Sequence, residues 1–279
     1  MSKADTKAGK AAKGEKNEWI ETLVVIIEAL VIAVVFRTFL WQPFSIPTGS
    51  LQPTMLIGDY FLANKWAWGF SKYSFIVPLP IQGRLLAFGE PQQGDIAVFH
   101  NVTDEDYVKR IIGMPGDHIQ MKDGRLYING VMLERELIGP GQDIDGTGHA
   151  QDVILYRETL PNGLVHTIQE VSDQERLDTT KEFVVPPGHY FMMGDNRDNS
   201  LDSRVEPTAD SRGIIRQGVG YVPLNALIGK GEARFMSIKG NAPLWAIWDW
   251  PLNLRWDRMF QSVYLNDGRT APTEGTPQG

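Results

Sequence analysis

Hydrophobic and polar positions divide the chain into two unlike parts. The stretch from Leu23 to Trp41 is apolar except for Glu28, Arg37 and Thr38, and after it apolar residues occur in short runs between polar turns. A membrane-spanning helix needs about 20 predominantly apolar residues. The pattern therefore predicts one N-terminal transmembrane helix over residues 19–42, followed by a domain built from short strands.

Charge around the apolar stretch predicts its orientation. Residues 1–18 are rich in Lys, Ala and Gly, which is typical of a disordered tail, and no basic residue follows Arg37 until Lys65. By the positive-inside rule, the N-terminus lies in the cytoplasm and the rest of the chain outside. A cleaved secretory signal and an amphipathic surface helix are the alternatives, although no Ala-x-Ala cleavage site follows the run.

After residue 42 the apolar positions favour β-strands. Short runs that are rich in apolar and β-branched residues and bounded by Gly or Pro are typical of strands. They predict strands at Asp59–Asn64, Asp95–His100, Tyr107–Ile112, Ile119–Met121, Leu126–Asn129, Val153–Thr159, Leu164–Gln169 and Tyr190–Met193. Because long helical periodicity is absent, the pattern indicates a mainly β fold, as an antiparallel barrel or sandwich.

Composition along the β region predicts a core with an insertion. Residues 43–133 and 183–266 form the two parts of the core, and the polar residues 134–182, with a hairpin turn at 161–163, form a small inserted cap. Residues 267–279 are typical of a disordered tail. The aromatic segments 66–88 and 244–260 belong either to the core or to a surface on the bilayer, since Trp and Tyr favour the membrane interface.

Overall composition excludes several classes of site. The formal net charge is −7 and the pI is near 5.3, which argues against a nucleic-acid-binding surface. The chain contains no cysteine, so disulfides and thiolate zinc sites are excluded.

Three polar clusters carry the candidate chemistry. The first surrounds Ser50, the second contains Lys109 among apolar residues of a predicted strand, and the third runs from Gly194 to Arg204. A lysine on a buried strand face loses hydration, which lowers its pKa. The neutral amine can then take the proton of a serine hydroxyl, which is a poor nucleophile without a base. The clusters predict a hydrolase with Ser50 as nucleophile and Lys109 as base.

Two further hydroxyl groups are candidates for supporting roles in acyl transfer. The backbone N–H of Ser50 and the hydroxyl of Thr48 are natural donors to a developing oxyanion. Ser200, in the third cluster, is expected to donate or accept a hydrogen bond at the Lys109 amine and to orient it.

The third cluster contains two Asp–Arg pairs with the same spacing. Asp195 and Arg197 are two residues apart, as are Asp202 and Arg204. Such pairs more often brace a loop than take part in chemistry, so we expect them to fix the loop that carries the cluster's serine. Asp195 is also a candidate partner of Arg110.

Two other functions fit parts of the pattern. A membrane-bound serine hydrolase could take its base from a histidine, because triad residues meet only in space. The Gly-x-Ser-x-Gly motif is absent at Ser50, and no histidine lies in a recognisable motif, whether His100, His118, His149, His166 or His189. A non-enzymatic anchored β module that binds extended peptides at a sheet edge is the second alternative, although it has no evident use for a buried lysine.

Together the three clusters resemble those of bacterial type I signal peptidases, the Ser-Lys leader peptidases. The resemblance runs from about Leu23 to about Gly231 and is densest at Ser45–Asp59, Gly94–Asp117 and Gly188–Arg204. It implies a membrane-anchored endopeptidase with a mainly antiparallel β catalytic domain, which removes signal peptides from exported preproteins after small residues. It also implies that no metal or organic cofactor is used.

The resemblance further implies a location and a set of residues. The single-pass protein would sit in the bacterial cytoplasmic membrane near the secretion machinery, with its catalytic domain on the periplasmic or extracytoplasmic side. By this resemblance Ser50 matches the nucleophile and Lys109 the general base. Thr48 matches the oxyanion-hole hydroxyl, and Ser200 the serine that orients the lysine. Asp202 and Arg204 match the supporting ion pair. The apolar linings of the substrate pockets match Phe44, Ile46, Leu56 and Val108.

The chain departs from the family pattern at two positions beside the nucleophile. Leu51 stands where the family usually has Met, an apolar exchange of similar volume that is usually tolerated. Thr48 stands where the family often has Ser, and its extra methyl group could shift the oxyanion donor or narrow the site.

Overall fold

The computed structural model of the protein describes residues 3–75, 80–81, 83–213, 215–239 and 250–264, without the side chains of residues 3–18, 36, 39 and 216. The predicted tail at 267–279 lies outside the described residues. So do parts of both aromatic segments, including Trp245 and Trp248.

A long helix, α1 (Lys3–Phe39), opens the described chain. It extends through residues 3–18, where the sequence predicted a disordered tail, because Ala and Lys are strong helix formers. Every side chain described from residue 19 to residue 35 is exposed to solvent. Of the helices in the described chain, none has the length and apolar content of a membrane span.

The main sheet has eight strands, and the strand pairs in it are antiparallel. In spatial order they are β1 (Trp41–Ser45), β2 (Asp59–Asn64), β16 (Leu227–Ser237), β3 (Ile96–His100), β4 (Asp106–Gly113), β12 (His189–Met193) and β15 (Val222–Pro223), with β17 (Gln261–Ser262) paired to β16. This sheet confirms the prediction of a mainly antiparallel β fold.

Burial explains why these segments form the sheet. Along β2 buried and partly exposed residues alternate, so that Phe61 and Ala63 face one core cluster with Ile96 of β3. The run from Ile96 to Phe99 is buried throughout, which is typical of a strand covered on both faces. The edge strand β1 begins at Trp41, inside the segment that was predicted as helix.

Two smaller sheets flank the main one. The four-stranded sheet has the order β11 (Phe183–Val184), β5 (His118–Lys122), β6 (Arg125–Ile128) and β7 (Val131–Met132), and a two-stranded sheet joins β13 (Thr208–Ala209) to β14 (Ile215–Gln217). The predicted turn between β5 and β6 is present. Asp123 and Gly124 there have φ values of 48° and 71°, the left-handed conformation that Gly and Asp tolerate best.

The inserted cap, residues 134–182, contains a sheet of its own. Its three antiparallel strands have the order β10 (Val165–Glu170), β9 (Ala150–Thr159) and β8 (Glu134–Ile144). The sequence predicted the hairpin of β9 and β10 but not β8. The β8 segment is polar and contains Gly139, Pro140 and Gly141, and its residues Glu134–Ile144 pair with β9 along nearly their whole length.

Short helical segments complete the described chain. Three-residue 3₁₀ turns lie at Lys72–Ser74, Leu224–Ala226 and Trp256–Arg258, and α2 is a single turn at Trp250–Asn253. A further 3₁₀ turn, Gly49–Leu51, joins β1 to β2 and carries Ser50.

Candidate active site

The turn that carries Ser50 is short and tightly held. Thr48 before it is extended, with φ −128° and ψ 153°, and the chain then reverses, so that the Gln52 N–H donates to the Gly49 carbonyl at 3.0 Å. A Cβ at Gly49 would lie 2.9 Å from Gln52 Nε2, which is closer than real contacts of this kind. The Gln52 side chain therefore packs directly against the Gly49 backbone, and Ser50 is only 8 % exposed.

Lys109 reaches Ser50 from the middle of the main sheet. It lies on β4 opposite Ala97 of β3, it is 4 % exposed, and its Nζ donates a hydrogen bond to Ser50 Oγ. Burial lowers the pKa of Lys109 to about 8, since the opposing influence of Asp202 is itself opposed by Arg204. A substantial share of the amine is therefore neutral at mildly alkaline pH and can accept the proton of the hydroxyl.

The two hydroxyl groups with predicted supporting roles differ in exposure and contacts. Thr48 Oγ1 is exposed at the mouth of the site, 3.5 Å from Ser50 Oγ. Ser200 is buried, but its Oγ makes no hydrogen bond of good geometry with any described residue, including Lys109. It lies near enough to the Asp202 carboxylate to help lower the pKa of that group. The predicted hydrogen bond between Ser200 and the amine is therefore absent from the described residues.

Asp202 and Arg204 form a buried ion pair behind the lysine. Arg204 donates to both carboxylate oxygens, from Nε at 2.9 Å and from Nη2 at 2.8 Å, and Asp202 also accepts the Gly194 N–H at 3.1 Å. Burial would raise the pKa of Asp202, but Arg204 outweighs it and holds the pKa below its ordinary value. The carboxylate stays charged, and the pair fixes the loop around Ser200.

The second pair predicted in this loop is organised differently. Asp195 accepts two hydrogen bonds from Arg110, both at 2.8 Å, and a third from Thr54 Oγ1 at 2.6 Å. Arg197 instead donates to both oxygens of Glu158, on β9 of the inserted cap. The partnership of Asp195 with Arg110 was foreseen, whereas Thr54 and Glu158 carried no signal in the sequence.

A groove of about 580 Å³ opens in front of the serine. Its walls are the chain from Phe44 to Leu51 and the residues from Glu105 to Lys109, and the apolar side chains of Phe44, Ile46 and Val108 belong to its lining. Leu56, which was also predicted for the substrate pocket, lies on a second cavity of about 430 Å³ beside Gln52 and Ile144 instead.

The histidines, all of which the structure describes, do not line this groove, although His100 Nδ1 lies 3.0 Å from the carboxylate of Asp106, which does. None of His100, His118, His149, His166 and His189 belongs to its lining. His166 is fully buried, 3.5 Å from Glu158 and 3.9 Å from Asp195, and burial lowers its pKa to about 4. It is therefore neutral at pH 7 and part of the buried network around Arg197, not a partner of Ser50.

Comparison with known proteins identifies the family. The model of the family described as "Signal peptidase, peptidase S26" matches residues 18–236, which include all three polar clusters. The chain belongs to the peptidase S26 family of signal peptidases. It is therefore a serine endopeptidase, and the resemblance seen in the sequence is confirmed.

Curated members of this family align along most of the chain. The signal peptidase I of Rickettsia akari is 35 % identical over 94 % of this chain and 98 % of its own length. That of Pseudomonas aeruginosa is 38 % identical over 75 % of this chain and 69 % of its own length. A solved signal peptidase I from Enterococcus faecalis is 25 % identical, with a TM-score of 0.28, over 52 % of this chain and 98 % of that one.

Proposed function

We propose that the protein removes signal peptides from exported preproteins by Ser-Lys catalysis, with Ser50 as nucleophile and Lys109 as general base. The observation that carries this proposal is the hydrogen bond from Lys109 Nζ to Ser50 Oγ, in a site where both side chains are buried. Membership of the signal peptidase family supports the choice of substrate.

The proposed reaction proceeds through an acyl-enzyme. The neutral Lys109 amine takes the proton of Ser50 as Oγ attacks the carbonyl carbon of the scissile peptide bond, and a tetrahedral oxyanion forms. The Ser50 N–H and the Thr48 hydroxyl stabilise the oxyanion. The ammonium then donates its proton to the departing amine, and the C–N bond breaks. Water, deprotonated by the same amine, hydrolyses the ester and releases the signal peptide.

The shape of the groove supports an extended peptide as substrate. One wall contains the end of β1, which among the described strands pairs only with β2, so its other edge is unpaired. The other wall is the start of β4, and β12 pairs with β4 only from Arg110 onward. Backbone groups on both walls are thus open to a peptide that adds as a further strand. The apolar lining by Phe44, Ile46 and Val108 would accept the side chains of the signal peptide nearest the cleavage site.

We also propose that α1 anchors the protein in the bacterial cytoplasmic membrane, with the catalytic domain on the outer side. The apolar side chains from Trp19 to Val35 are exposed on all sides of the helix, a surface that favours lipid over water. The lysines before it are expected to stay in the cytoplasm.

The test of the catalytic proposal uses the full chain in detergent with a preprotein as substrate. Wild type should release a mature protein whose new N-terminus is read by sequencing, while Ser50→Ala and Lys109→Met should release none. Lys122→Met, which removes an exposed lysine of β5, is the matched control and should cleave normally. Cleavage by Lys109→Met at the wild-type rate would remove the Ser-Lys mechanism.

The anchor is tested separately in cells. The protein should stay in the membrane fraction after alkaline carbonate extraction, and its catalytic domain should be open to protease added from the periplasmic side. Recovery of the chain in the carbonate supernatant would contradict the anchor without affecting the catalytic proposal.

A further inference from the structure

The far end of the inserted cap touches the loop behind the nucleophile. Asp143, near the end of β8, is 6 % exposed. Its Oδ2 accepts a hydrogen bond from Asn196 Nδ2 at 2.8 Å and another from Asn199 Nδ2 at 3.2 Å. One carboxylate oxygen of the cap thus holds two side chains of the Gly194–Arg204 loop.

Asn196 also hydrogen-bonds the turn that carries Ser50, and so connects the cap to that turn. Its Nδ2 also donates to the Gly49 carbonyl at 3.2 Å, and its backbone N–H donates to the Ser50 carbonyl at 3.1 Å. Its Oδ1 accepts the Asn199 N–H at 3.3 Å. With Asp143 in place, the Asn196 amide therefore has one orientation in which both of its ends are satisfied.

A second bond joins the cap to the same turn. Gln52 Nε2 donates to the Ile144 carbonyl, the residue after Asp143, at 2.9 Å. The other oxygen of Asp143, Oδ1, is buried without a hydrogen-bond partner among the described residues and lies 3.3 Å from where a Cβ at Gly49 would be. A buried oxygen left unpaired is unfavourable for folding, so this oxygen offsets part of the stability that the two hydrogen bonds of Oδ2 provide.

We propose that Asp143 is a positioning residue, through which the inserted cap sets the Ser50 turn in its reactive geometry. The carboxylate orients Asn196, and Asn196 holds the carbonyls of Gly49 and Ser50 on either side of the nucleophile's Cα. Its kinetic consequence rests on the proposed function, since the hydroxyl must stay within reach of Lys109 while the substrate is attacked. This gives the cap a role in catalysis without any contact with the reacting atoms.

The kinetic experiment compares three variants with wild type on one peptide substrate. Asp143→Ala removes the acceptor, so kcat should fall by roughly ten- to a hundredfold while KM changes less than about threefold. Asp143→Asn keeps an acceptor oxygen for the two amides and should recover most of that loss. Asp152→Ala, an exposed aspartate of β9 in the same hairpin, is the control and should match wild type.

Two kinetic outcomes would overturn the inference. Wild-type kcat in Asp143→Ala would show that the turn keeps its geometry without the cap. An equal loss in Asp143→Asn and Asp143→Ala would show that the hydrogen-bond acceptor is not what matters.

Hydrogen exchange tests the same inference without any activity. Amides of residues 46–56 and 194–200 should exchange faster in Asp143→Ala than in wild type, whereas those of β3 and β4 should be unchanged. Equal exchange in both proteins overturns the inference even if neither cleaves a peptide. Absence of cleavage by wild type, with the expected change in exchange, would instead overturn the proposed function alone.

Discussion

The side-chain amine of Lys109 donates a hydrogen bond to the hydroxyl of Ser50, from the centre of the main sheet to the turn after its edge strand. The two side chains are 4 % and 8 % exposed. The burial that brings them together also lowers the pKa of the amine to about 8. One structural feature therefore both places the amine at the hydroxyl and makes more of it available in its neutral form.

Activity should fall in acid because Lys109 becomes protonated. Below its pKa of about 8, kcat/KM should decrease roughly tenfold for each pH unit, as the neutral fraction does. A pH profile measured on a short peptide substrate, with Ser50→Ala as the blank, checks this. A profile that stays level down to about pH 5, far below the ~10.4 of an ordinary lysine, would rule out Lys109 as the base.

The free energy of unfolding should also depend on the protonation of Lys109. The pKa of Lys109 is about 8 in the folded protein and about 10.4 in the unfolded chain, so between these values only the unfolded chain holds the proton. The free energy of unfolding therefore rises with pH across this window, by about 3 kcal/mol for this residue. Below about pH 8 the full destabilisation of the folded protein by Lys109 is present.

Lys109→Met should remove this dependence. Urea unfolding of both proteins should show the variant gaining about 3 kcal/mol relative to wild type as the pH falls from about 10.5 to about 7. A difference between the two proteins that is the same at both ends of this range would contradict the low pKa.

The strands of the core were predictable from sequence to within a residue or two at β2, β3 and β4, because apolar and β-branched residues form short runs there between polar turns. The strand β16 was not predicted. It contains Gly229, Gly231 and several charged residues, and shifts in its register occur against both neighbours. Pairing with β2 on one side and β3 on the other, which no local pattern encodes, makes it a strand.

The candidate site was likewise predictable from sequence only in part. Ser50 and Lys109 could be chosen from local sequence, since one follows a tight turn and the other interrupts an apolar strand. The partners Glu158 and Asp143 could not, because they come from the inserted cap and lie 39 and 53 positions before Arg197 and Asn196 in the chain. Local sequence singled out the candidate pair, while the residues that hold it depend on the tertiary fold.

Gly194→Ala should impair catalysis more than folding. A Cβ there would overlap Ser200 Oγ and the Ser50 carbonyl oxygen, so the turn or the loop must move. We expect kcat/KM to fall by about a hundredfold, the effect of a displacement of about 1 Å at a reacting group. Thermal unfolding of the same sample should show that it is folded.

Gly231→Ala on β16 is the matched control for this substitution. The nearest atom to its added Cβ would be Ile96 Cγ2 at 3.2 Å, a side-chain contact that small shifts relieve. It should cleave at close to the wild-type rate. Full activity in Gly194→Ala would show that the Ser50 carbonyl need not stay in its observed position.

Asp195→Ala should be strongly destabilising, because it leaves the fully buried guanidinium of Arg110 without its carboxylate. Removal of one partner from a buried ion pair typically lowers the free energy of unfolding by about 3–5 kcal/mol. Glu206→Ala, which breaks the exposed pair with Lys181, should leave it nearly unchanged, because water screens an exposed ion pair. Urea unfolding of both variants checks the comparison.

The double variant Arg110→Met with Asp195→Leu removes both charges and should recover most of the loss. A double variant as unstable as Asp195→Ala would show that the buried charge of Arg110 is not the cause.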